Sequence, residues 1–122
     1  MHNHRTLQMQ KVRDFREALF KVIRTHPDML YRDACKVAVE SEAPRFYCTY
    51  ELAQRFVSLI NRKRPLPLKQ ENKRRMYLEL YRRWKATGQR SYSILHDIIM
   101  SPAPAFYLAN DTAKAFGHLY RK

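Results

Sequence analysis

Apolar residues recur along this chain at the spacing of amphipathic helices rather than in the alternation typical of strands. The first stripe ends near Pro27, the second must end before Pro44, and the third begins after Thr49, whose hydroxyl can cap a helix. A second set of three stripes follows, interrupted at Gly88 and resumed after Ser91. Only two glycines occur, which disfavours hairpin-rich β folds. The pattern therefore predicts an all-α protein of about six helices.

Each predicted helix has an apolar inner face and a candidate N-cap. The inner face of the second helix is assigned to Leu30, Ala34, Val37 and Ala38. Asp28 is the expected cap of that helix, and Asn110 or Asp111 is the expected cap of the last one. The faces of the first, third and fourth helices are assigned to Val12, Phe15, Leu19, Val22 and Ile23, to Leu52, Ala53, Phe56, Leu59 and Ile60, and to Tyr77, Leu80, Tyr81 and Trp84.

A stretch of nineteen positions in the first half of the chain matches the second half, without a gap, at an offset of sixty, and upstream of it the register shifts by one residue. The offset aligns eight identical pairs: Ser41 with Ser101, Ala43 with Ala103, Pro44 with Pro104, Phe46 with Phe106, Tyr47 with Tyr107, Ala53 with Ala113, Phe56 with Phe116 and Leu59 with Leu119. Chance would give about one. The sequence therefore predicts a tandem duplication of a three-helix, helix-turn-helix-like unit, packed as one compact body. Its parts are a first repeat at residues 1–62, a short basic connector with prolines at 63–71, and a second repeat at 72–122.

A short motif, A-P-x-F-Y, occurs once in each copy. Proline restricts the backbone, and an aromatic pair packed beside it would fix the loop on the helices. A structural role is therefore predicted for Ala43, Pro44, Phe46, Tyr47, Ala103, Pro104, Phe106 and Tyr107. The alternative to a structural role is that the rings are exposed beside Arg45 and stack on the bases of single-stranded nucleic acid. Arg45 corresponds to Ala105 in the other copy, so this position is expected to point outward.

Positive charge is concentrated in the second half of the chain. The formal net charge is +13, of which residues 1–61 contribute +3 and residues 62–122 contribute +10. Residues 62–90 alone contain eleven Lys and Arg against two Glu. A local excess of this kind attracts phosphates, anionic lipids or acidic proteins. The charge pattern therefore favours a polyanionic partner.

The candidate nucleic-acid-binding residues are cations of the connector, the fourth helix and the two third helices: Arg62, Lys63, Arg64, Lys69, Lys73, Arg74, Arg75, Arg82, Arg83, Arg55, Lys114 and Arg121. In a helix-turn-helix the last helix enters the major groove, and its outward residues here are Gln54, Arg55, Ser58, Arg62, Lys114, His118 and Arg121. The connection before the third helix is longer than the usual turn and lacks glycine, which counts against that mode. The plainer alternative is a solvated helix face on which Glu79 pairs with Arg75 and Arg83.

Other chemistries have little support in the sequence. It contains no nucleophile elbow, phosphate-binding glycine loop or zinc-protease motif, so an enzyme is not expected. Cys35 and Cys48 are expected to be reduced and buried, and no metal or cofactor is predicted. No stretch approaches the roughly 20 apolar residues of a membrane span, and the first residues do not resemble an export signal. A cytoplasmic location is therefore expected.

The pattern and the charge together predict a non-enzymatic nucleic-acid-binding protein of regulatory or architectural type, with DNA favoured over RNA as its partner. The alternative from another class is a helical interaction module that binds an acidic protein. Attachment to anionic membranes ranks last, because the cations do not lie opposite a broad exposed apolar face. The oligomeric state is left open by the sequence.

Overall fold

The computed structural model describes residues 4–118, with side chains from Thr6 onward. Within these residues the α-helices are α1 (His4–Thr25), α2 (Tyr31–Val39), α3 (Tyr50–Asn61), α4 (Glu71–Ala86), α5 (Leu95–Ile99) and α6 (Asn110–His118), with a 3₁₀ turn at Tyr92–Ile94 before α5. The described part of the chain contains no strand, and an isolated antiparallel bridge joins Ala43 to Ala103. The predicted all-α class is confirmed. Leu119 and Arg121 lie outside the described residues.

Several helix boundaries follow the local chemistry that predicted them. The Thr49 hydroxyl accepts a hydrogen bond of 3.2 Å from the Leu52 amide at the start of α3. The Ser91 hydroxyl likewise accepts from the Ser93 amide, at 3.2 Å, before the 3₁₀ turn. Gly88 follows the end of α4 with a φ of +73°, a conformation that glycine adopts without steric cost. These two caps and this break are confirmed.

The predicted caps at Asp28, Asn110 and Asp111 are wrong. The backbone ladder of α2 begins with the bond from the Ala34 amide to the Leu30 carbonyl, so an extended Leu30 occupies the cap position without a side-chain bond. The ladder of α6 begins at the Ala109 carbonyl, which makes Asn110 the first helical residue. Residue type alone therefore misplaced both helix starts by one to two residues.

The packing of the helices divides the chain into two compact units. Unit 1 consists of the residues up to Tyr47 together with those from Pro102 onward, and it contains α1, α2 and α6. Unit 2, Cys48–Ser101, contains α3, α4, the 3₁₀ turn and α5. These units differ from the predicted repeats, because α6 packs on α1 and α2 whereas α3 packs on α4 and α5. That the two copies form one compact body stays a prediction.

The core of unit 1 is built around aromatic rings. Phe15 of α1 is fully buried, with its ring centroid 5.4 Å from that of Phe106 in an edge-to-face arrangement. The buried face of α2 consists of Ala34, Cys35, Ala38 and Val39. The predicted face was rotated, since Leu30 and Val37 are 58% and 45% exposed. Burial raises the pKa of the Cys35 thiol, which disfavours the reactive thiolate.

Both A-P-x-F-Y segments lie in unit 1. Ala43 and Ala103 exchange backbone hydrogen bonds of 2.9 Å in both directions. The Phe46 ring stacks on Tyr107 and the Tyr47 ring stacks on Phe106, at centroid distances of 6.4 and 6.1 Å. All four rings are buried, so they pack in the interior of the unit.

Polar groups in these segments are also taken into the interior. The Tyr47 hydroxyl donates a bond of 2.6 Å to Asp14 Oδ2, and burial together with this carboxylate raises the pKa of Tyr47 well above its usual range. Arg45 is only 5% exposed, with its Nε donating to the Phe46 carbonyl at 3.0 Å. The expectation that this position points outward is wrong for both Arg45 and Ala105, which is buried as well.

The core of unit 2 consists of aliphatic residues bordered by aromatic ones. Val57, Leu80 and Leu95 are fully buried, and Phe56 contacts Tyr77 edge to face at 4.7 Å. Val57 was missed as a core residue, and Leu52, predicted to face inward, is exposed. On α4 the buried residues are Met76, Tyr77, Leu80 and Trp84. This inner face leaves the opposite side of α4 to solvent.

Candidate nucleic-acid interface

Ten of the twelve predicted binding residues lie in unit 2: Arg55, Arg62, Lys63, Arg64, Lys69, Lys73, Arg74, Arg75, Arg82 and Arg83. Lys114 lies in α6 of unit 1, where it is half-buried, and Arg121 lies outside the described residues. The sequence of unit 2 contains twelve Lys and Arg against four Asp and Glu, a net charge of +8. The remaining residues contain twelve against seven, a net charge of +5 spread over a longer stretch. The structure therefore concentrates the candidates in one unit.

The C-terminus of α3 presents the first of these cations in an unusual backbone conformation. The Lys63 amide bonds to the Ile60 carbonyl at 3.0 Å and the Arg64 amide bonds to the Leu59 carbonyl at 2.8 Å, which together form a Schellman motif. Lys63 occupies the left-handed position of that motif, with a φ of +58°. Glycine is the usual residue there, because a side chain in this conformation costs roughly 1–2 kcal/mol. An exposed lysine thus occupies a position at which glycine would make the fold more stable.

Arg74 fixes the connector to the beginning of α4. Its Nη1 donates to the Leu68 carbonyl at 3.0 Å and to the Leu66 carbonyl at 3.4 Å, and its side chain is half-buried. The guanidinium therefore supplies hydrogen bonds to a segment that lacks regular structure of its own. Arg74 differs in this respect from the exposed cations around it.

The solvent-facing side of α4 has a line of exposed residues at alternating spacings of four and three. We call these residues the outer stripe of α4: Glu71, Arg75, Leu78, Arg82 and Lys85. Arg75 and Lys85 are about 15 Å apart along the helix axis, from the rise of 1.5 Å per residue. Lys85 was missed as a candidate, although it continues the helical spacing of Arg75 and Arg82.

Glu79 neutralises part of this side of the helix. Its two carboxylate oxygens accept from Arg82 Nη1 at 2.7 Å and from Arg83 Nε at 2.9 Å. Arg83 Nη1 also donates to the Ser101 hydroxyl at 3.3 Å, while Arg75 Nη1 donates to Asn72 Oδ1 at 3.4 Å. The predicted pairing of Glu79 with Arg83 is present. Such intrahelical pairs contribute about 0.2–0.5 kcal/mol each and do not remove the charge excess.

Four exposed cations at the connector and its junction with α4 are not neutralised in this way. We call Lys63, Arg64, Lys69 and Lys73 the connector cations. Within residues 4–118, their side chains form no ion pair with any carboxylate. Their charge is therefore directed to solvent, where it is available to an anion.

The outward residues of the two third helices lie in different units. On α3, Gln54 and Arg55 are exposed and Ser58 is half-buried. On α6, the Lys114 carbonyl accepts a bond of 3.0 Å from the Tyr31 hydroxyl, and the His118 ring lies 4.9 Å from Tyr31. The predicted base-reading residues therefore belong to two separate packing environments.

Unit 1 contains a crevice of the opposite character. Its volume is about 510 Å³, and three carboxylates, those of Asp14, Glu17 and Glu42, line it beside Lys21 and His26. Acidic walls disfavour phosphates, so this crevice does not extend the basic surface. No group of three or more metal-ligating side chains occurs among the described residues, and no helix among them is both long and apolar enough to cross a membrane.

Comparison of the chain with protein-family models, with curated proteins and with solved structures finds no match. The surface of the protein is therefore the basis for proposing its function. Its strongest feature is the positive charge of unit 2, which acidic residues do not balance.

Proposed function

We propose that this protein binds nucleic acid, DNA before RNA, through the basic surface of unit 2, and that it acts without catalysis as a regulatory or architectural protein. The connector cations and the three cations of the outer stripe of α4, Arg75, Arg82 and Lys85, contact the phosphate backbone. Arg74 contributes indirectly, because its hydrogen bonds to the Leu66 and Leu68 carbonyls hold the connector in position. Phosphate contacts position a protein on nucleic acid without reading its sequence.

The observation that supports this proposal is the set of connector cations. Four exposed positive side chains follow one another within eleven residues and have no ion-pair partner in the described part of the chain. Intramolecular salt bridges would be the simplest alternative use for such charge, and Glu79 provides them for Arg82 and Arg83, which are not connector cations. Binding to phosphates releases condensed counterions and needs cations that are free to approach them.

The test is the salt dependence of binding to a random-sequence duplex. Neutralising about five phosphates gives a slope of the logarithm of affinity against the logarithm of salt concentration near −4 to −5. Changing all four connector cations to Gln should make this slope shallower by about 3–4 and lower the affinity by roughly 600-fold at low salt, about fivefold for each contact. Each lost contact removes about 0.9 from the slope.

A matched variant in unit 1 removes the same charge from another surface. Lys21, Arg24, Arg32 and Lys36 are all exposed, and their replacement by Gln should change the slope far less. Equal losses from both variants would mean that binding depends on net charge and not on the surface of unit 2. Binding that does not respond to salt would contradict the proposal altogether.

A second candidate function is supported by Leu78. This side chain is 44% exposed in the middle of the outer stripe, between Arg75 and Arg82. An apolar residue flanked by cations suits an acidic amphipathic helix better than a phosphate backbone. Changing Leu78 to Gln separates the two, because it should weaken the binding of an acidic protein and leave the binding of duplex unchanged.

We further infer that an internal duplication underlies the architecture, with the third helices exchanged between the copies. The contacts within unit 1 support this. Ala43 bonds to its own counterpart Ala103, and Phe46 stacks on Tyr107 just as Tyr47 stacks on Phe106. Reciprocal pairing of equivalent residues is the signature of a two-fold relation between two copies of one element.

A further inference from the structure

A crevice of about 460 Å³ lies in unit 2 beside the turn that follows α4. The crevice is lined by Asn61, Trp84, Lys85, Gly88, Gln89 and Arg90. Pockets for small ligands typically have volumes of about 300–1,000 Å³, so this one can accept a group the size of a nucleobase. None of its lining residues is acidic, in contrast to the crevice of unit 1.

Trp84, an immobilised and almost completely buried residue, is one of the residues that line this crevice. Trp84 is 4% exposed, and its Nε1 donates a bond of 2.9 Å to the Ser91 carbonyl. The ring also stacks on Tyr92, with centroids 4.9 Å apart and planes inclined by 22°. The hydrogen bond and the stacked Tyr92 ring make Trp84 a rigid part of the crevice wall, so it loses no rotational freedom when a ligand is bound beside it.

The polar groups around the indole suit the edge of a base. Asn61 and Gln89 each have an amide donor and an amide acceptor, and both side chains are exposed. Asn61 Nδ2 donates a long bond of 3.4 Å to the Tyr92 hydroxyl, which leaves the Asn61 amide oxygen as an acceptor. A methyl group on the Cα of Gly88 would meet no atom within 4 Å, so the crevice is open at this residue. Bases in single strands are recognised by this combination of aromatic contact and hydrogen bonds to their exposed edges.

The crevice is continuous with the basic surface through Lys85. This residue lines the crevice and is also the last member of the outer stripe of α4, whose first cation, Arg75, is about 15 Å away along the helix axis. Arg90 also lines the crevice, is exposed and forms no ion pair within residues 4–118. A phosphate backbone that follows the outer stripe would therefore arrive at the crevice between two cations.

We propose that this crevice binds a splayed base of single-stranded nucleic acid, an inference that rests on the proposed function of unit 2. The phosphates on either side of the base contact Lys85 and Arg90. The base lies in the crevice beside the small accessible part of Trp84 and hydrogen-bonds to Asn61 and Gln89. A base inside a duplex is paired and stacked, so the crevice selects single strands or frayed ends.

Trp84 provides a direct test because it is the only tryptophan in the chain. The full chain is titrated with oligo(dT) of about 12 nucleotides and with an abasic strand of the same length, while affinity and tryptophan emission are measured together. The oligo(dT) should bind about fivefold tighter than the abasic strand, because one base makes hydrogen bonds that the abasic strand lacks and each contributes about 0.5–1.5 kcal/mol. It should also change the emission, whereas the abasic strand should not.

Two surface variants test where on the protein the preference for oligo(dT) over the abasic strand arises. Changing Gln89 and Arg90 to Ala should bring the ratio of the two affinities close to one. Changing Gln8 and Arg32 to Ala, which removes one exposed amide and one exposed cation from unit 1, should leave the ratio unchanged. The same comparison with oligo(U) distinguishes RNA from DNA, and a base preference with either strand supports the crevice.

The outcomes separate this inference from the function on which it rests. If oligo(dT), abasic strand and duplex bind equally well and the emission is constant, the phosphate-binding surface stands and the crevice assignment is overturned. If none of the strands binds, both proposals fail. Tighter binding of the duplex than of oligo(dT), with no change in emission, also overturns the assignment of the crevice.

Discussion

Each of the two units contains three α-helices, but their interiors and surfaces differ. Unit 1 contains both aromatic segments, an interior of stacked rings and a crevice lined by three carboxylates. Unit 2 contains the connector, a net charge of +8 and a crevice without acidic residues. The difference indicates that interior contacts dominate in one unit and surface charge in the other. Substitutions in unit 1 should therefore act mainly on stability, and substitutions on the surface of unit 2 mainly on binding.

The largest expected effect on stability comes from the aromatic interior of unit 1. Changing Phe106 to Ala removes a ring that is almost completely buried, that contacts Phe15 edge to face at 5.4 Å and that stacks on Tyr47 at 6.1 Å. The loss should be about 3–5 kcal/mol of the free energy of unfolding, the usual range for a buried Phe. Urea unfolding followed by far-UV circular dichroism measures it. A loss below about 1 kcal/mol would show that the site relaxes around the missing ring.

The next effect comes from the close contact between α6 and α2. A methyl group at Gly117 would overlap the Tyr31 hydroxyl and lie 2.9 Å from Leu19 Cδ2. Overpacking typically costs about 1–3 kcal/mol, and the higher helix propensity of Ala offsets about 1 kcal/mol. Gly117→Ala should therefore lower the free energy of unfolding by about 1–2 kcal/mol.

A double-mutant cycle checks the cause of that loss. In a Tyr31→Phe background the overlapping hydroxyl is absent, so the cost of Gly117→Ala should fall by about 1 kcal/mol. Gly88→Ala is the matched control in unit 2. Its new methyl group would meet no atom within 4 Å, but the φ of +73° is unfavourable for Ala. The cost of Gly88→Ala should be the same in both backgrounds, and a dependence on Tyr31 would contradict this explanation.

A smaller effect distinguishes two neighbouring arginines of unit 2. Arg74→Ala removes two hydrogen bonds to the connector and should cost about 1 kcal/mol of stability. Arg75 is an exposed member of the outer stripe, so Arg75→Ala should change stability by less than about 0.5 kcal/mol and make the salt slope of binding shallower by about 0.9. The two variants have the same net charge, which excludes a general electrostatic explanation. Equal salt slopes for Arg74→Ala and Arg75→Ala would contradict the assignment of Arg74 as a positioning residue and of Arg75 as a phosphate contact.

The sequence predicts the helices well because their signals are local. The Thr49 and Ser91 caps and the break at Gly88 depend on residues within one turn of each boundary. The prediction of the buried face of α2 was wrong because it included Leu30 and Val37, which are apolar but exposed. Comparison of positions sixty residues apart would have corrected it, since Leu30 and Val37 align with Arg90 and Asp97. Ala34 and Val39, by contrast, align with the apolar residues Ile94 and Ile99.

The partner of each helix could not be predicted from such signals. An apolar stripe on α3 or α6 indicates that one face is buried, but it does not indicate which other helices bury it. The complementary sizes of Tyr31 and Gly117 provide a clue only after the structure is known. Their counterparts, Ser91 and Val57, reverse the order of large and small residues. The hydrogen bonds of Arg74 were equally hidden, because they depend on the path of a connector without a repeating pattern.

The smallest expected effect has the opposite sign for stability and for binding. Lys63→Gly places glycine at the left-handed position after α3, where the φ is +58°. Release of this strain should raise the free energy of unfolding by about 0.5–1 kcal/mol. Loss of one connector cation should make the salt slope shallower by about 0.9 and lower the affinity for duplex about fivefold at low salt.

Lys63→Gln separates the two contributions of Lys63, because it removes the charge and keeps a side chain in the same conformation. It should weaken binding as much as Lys63→Gly does and should not stabilise the fold. Chemical unfolding and a salt titration on the same two variants measure both quantities. Wild-type affinity in both variants would mean that Lys63 makes no phosphate contact, and its unfavourable conformation would then have no explanation in binding. Loss of affinity in both, with a gain of stability in Lys63→Gly alone, would mean that stability is sacrificed at this position for a positive charge on the binding surface.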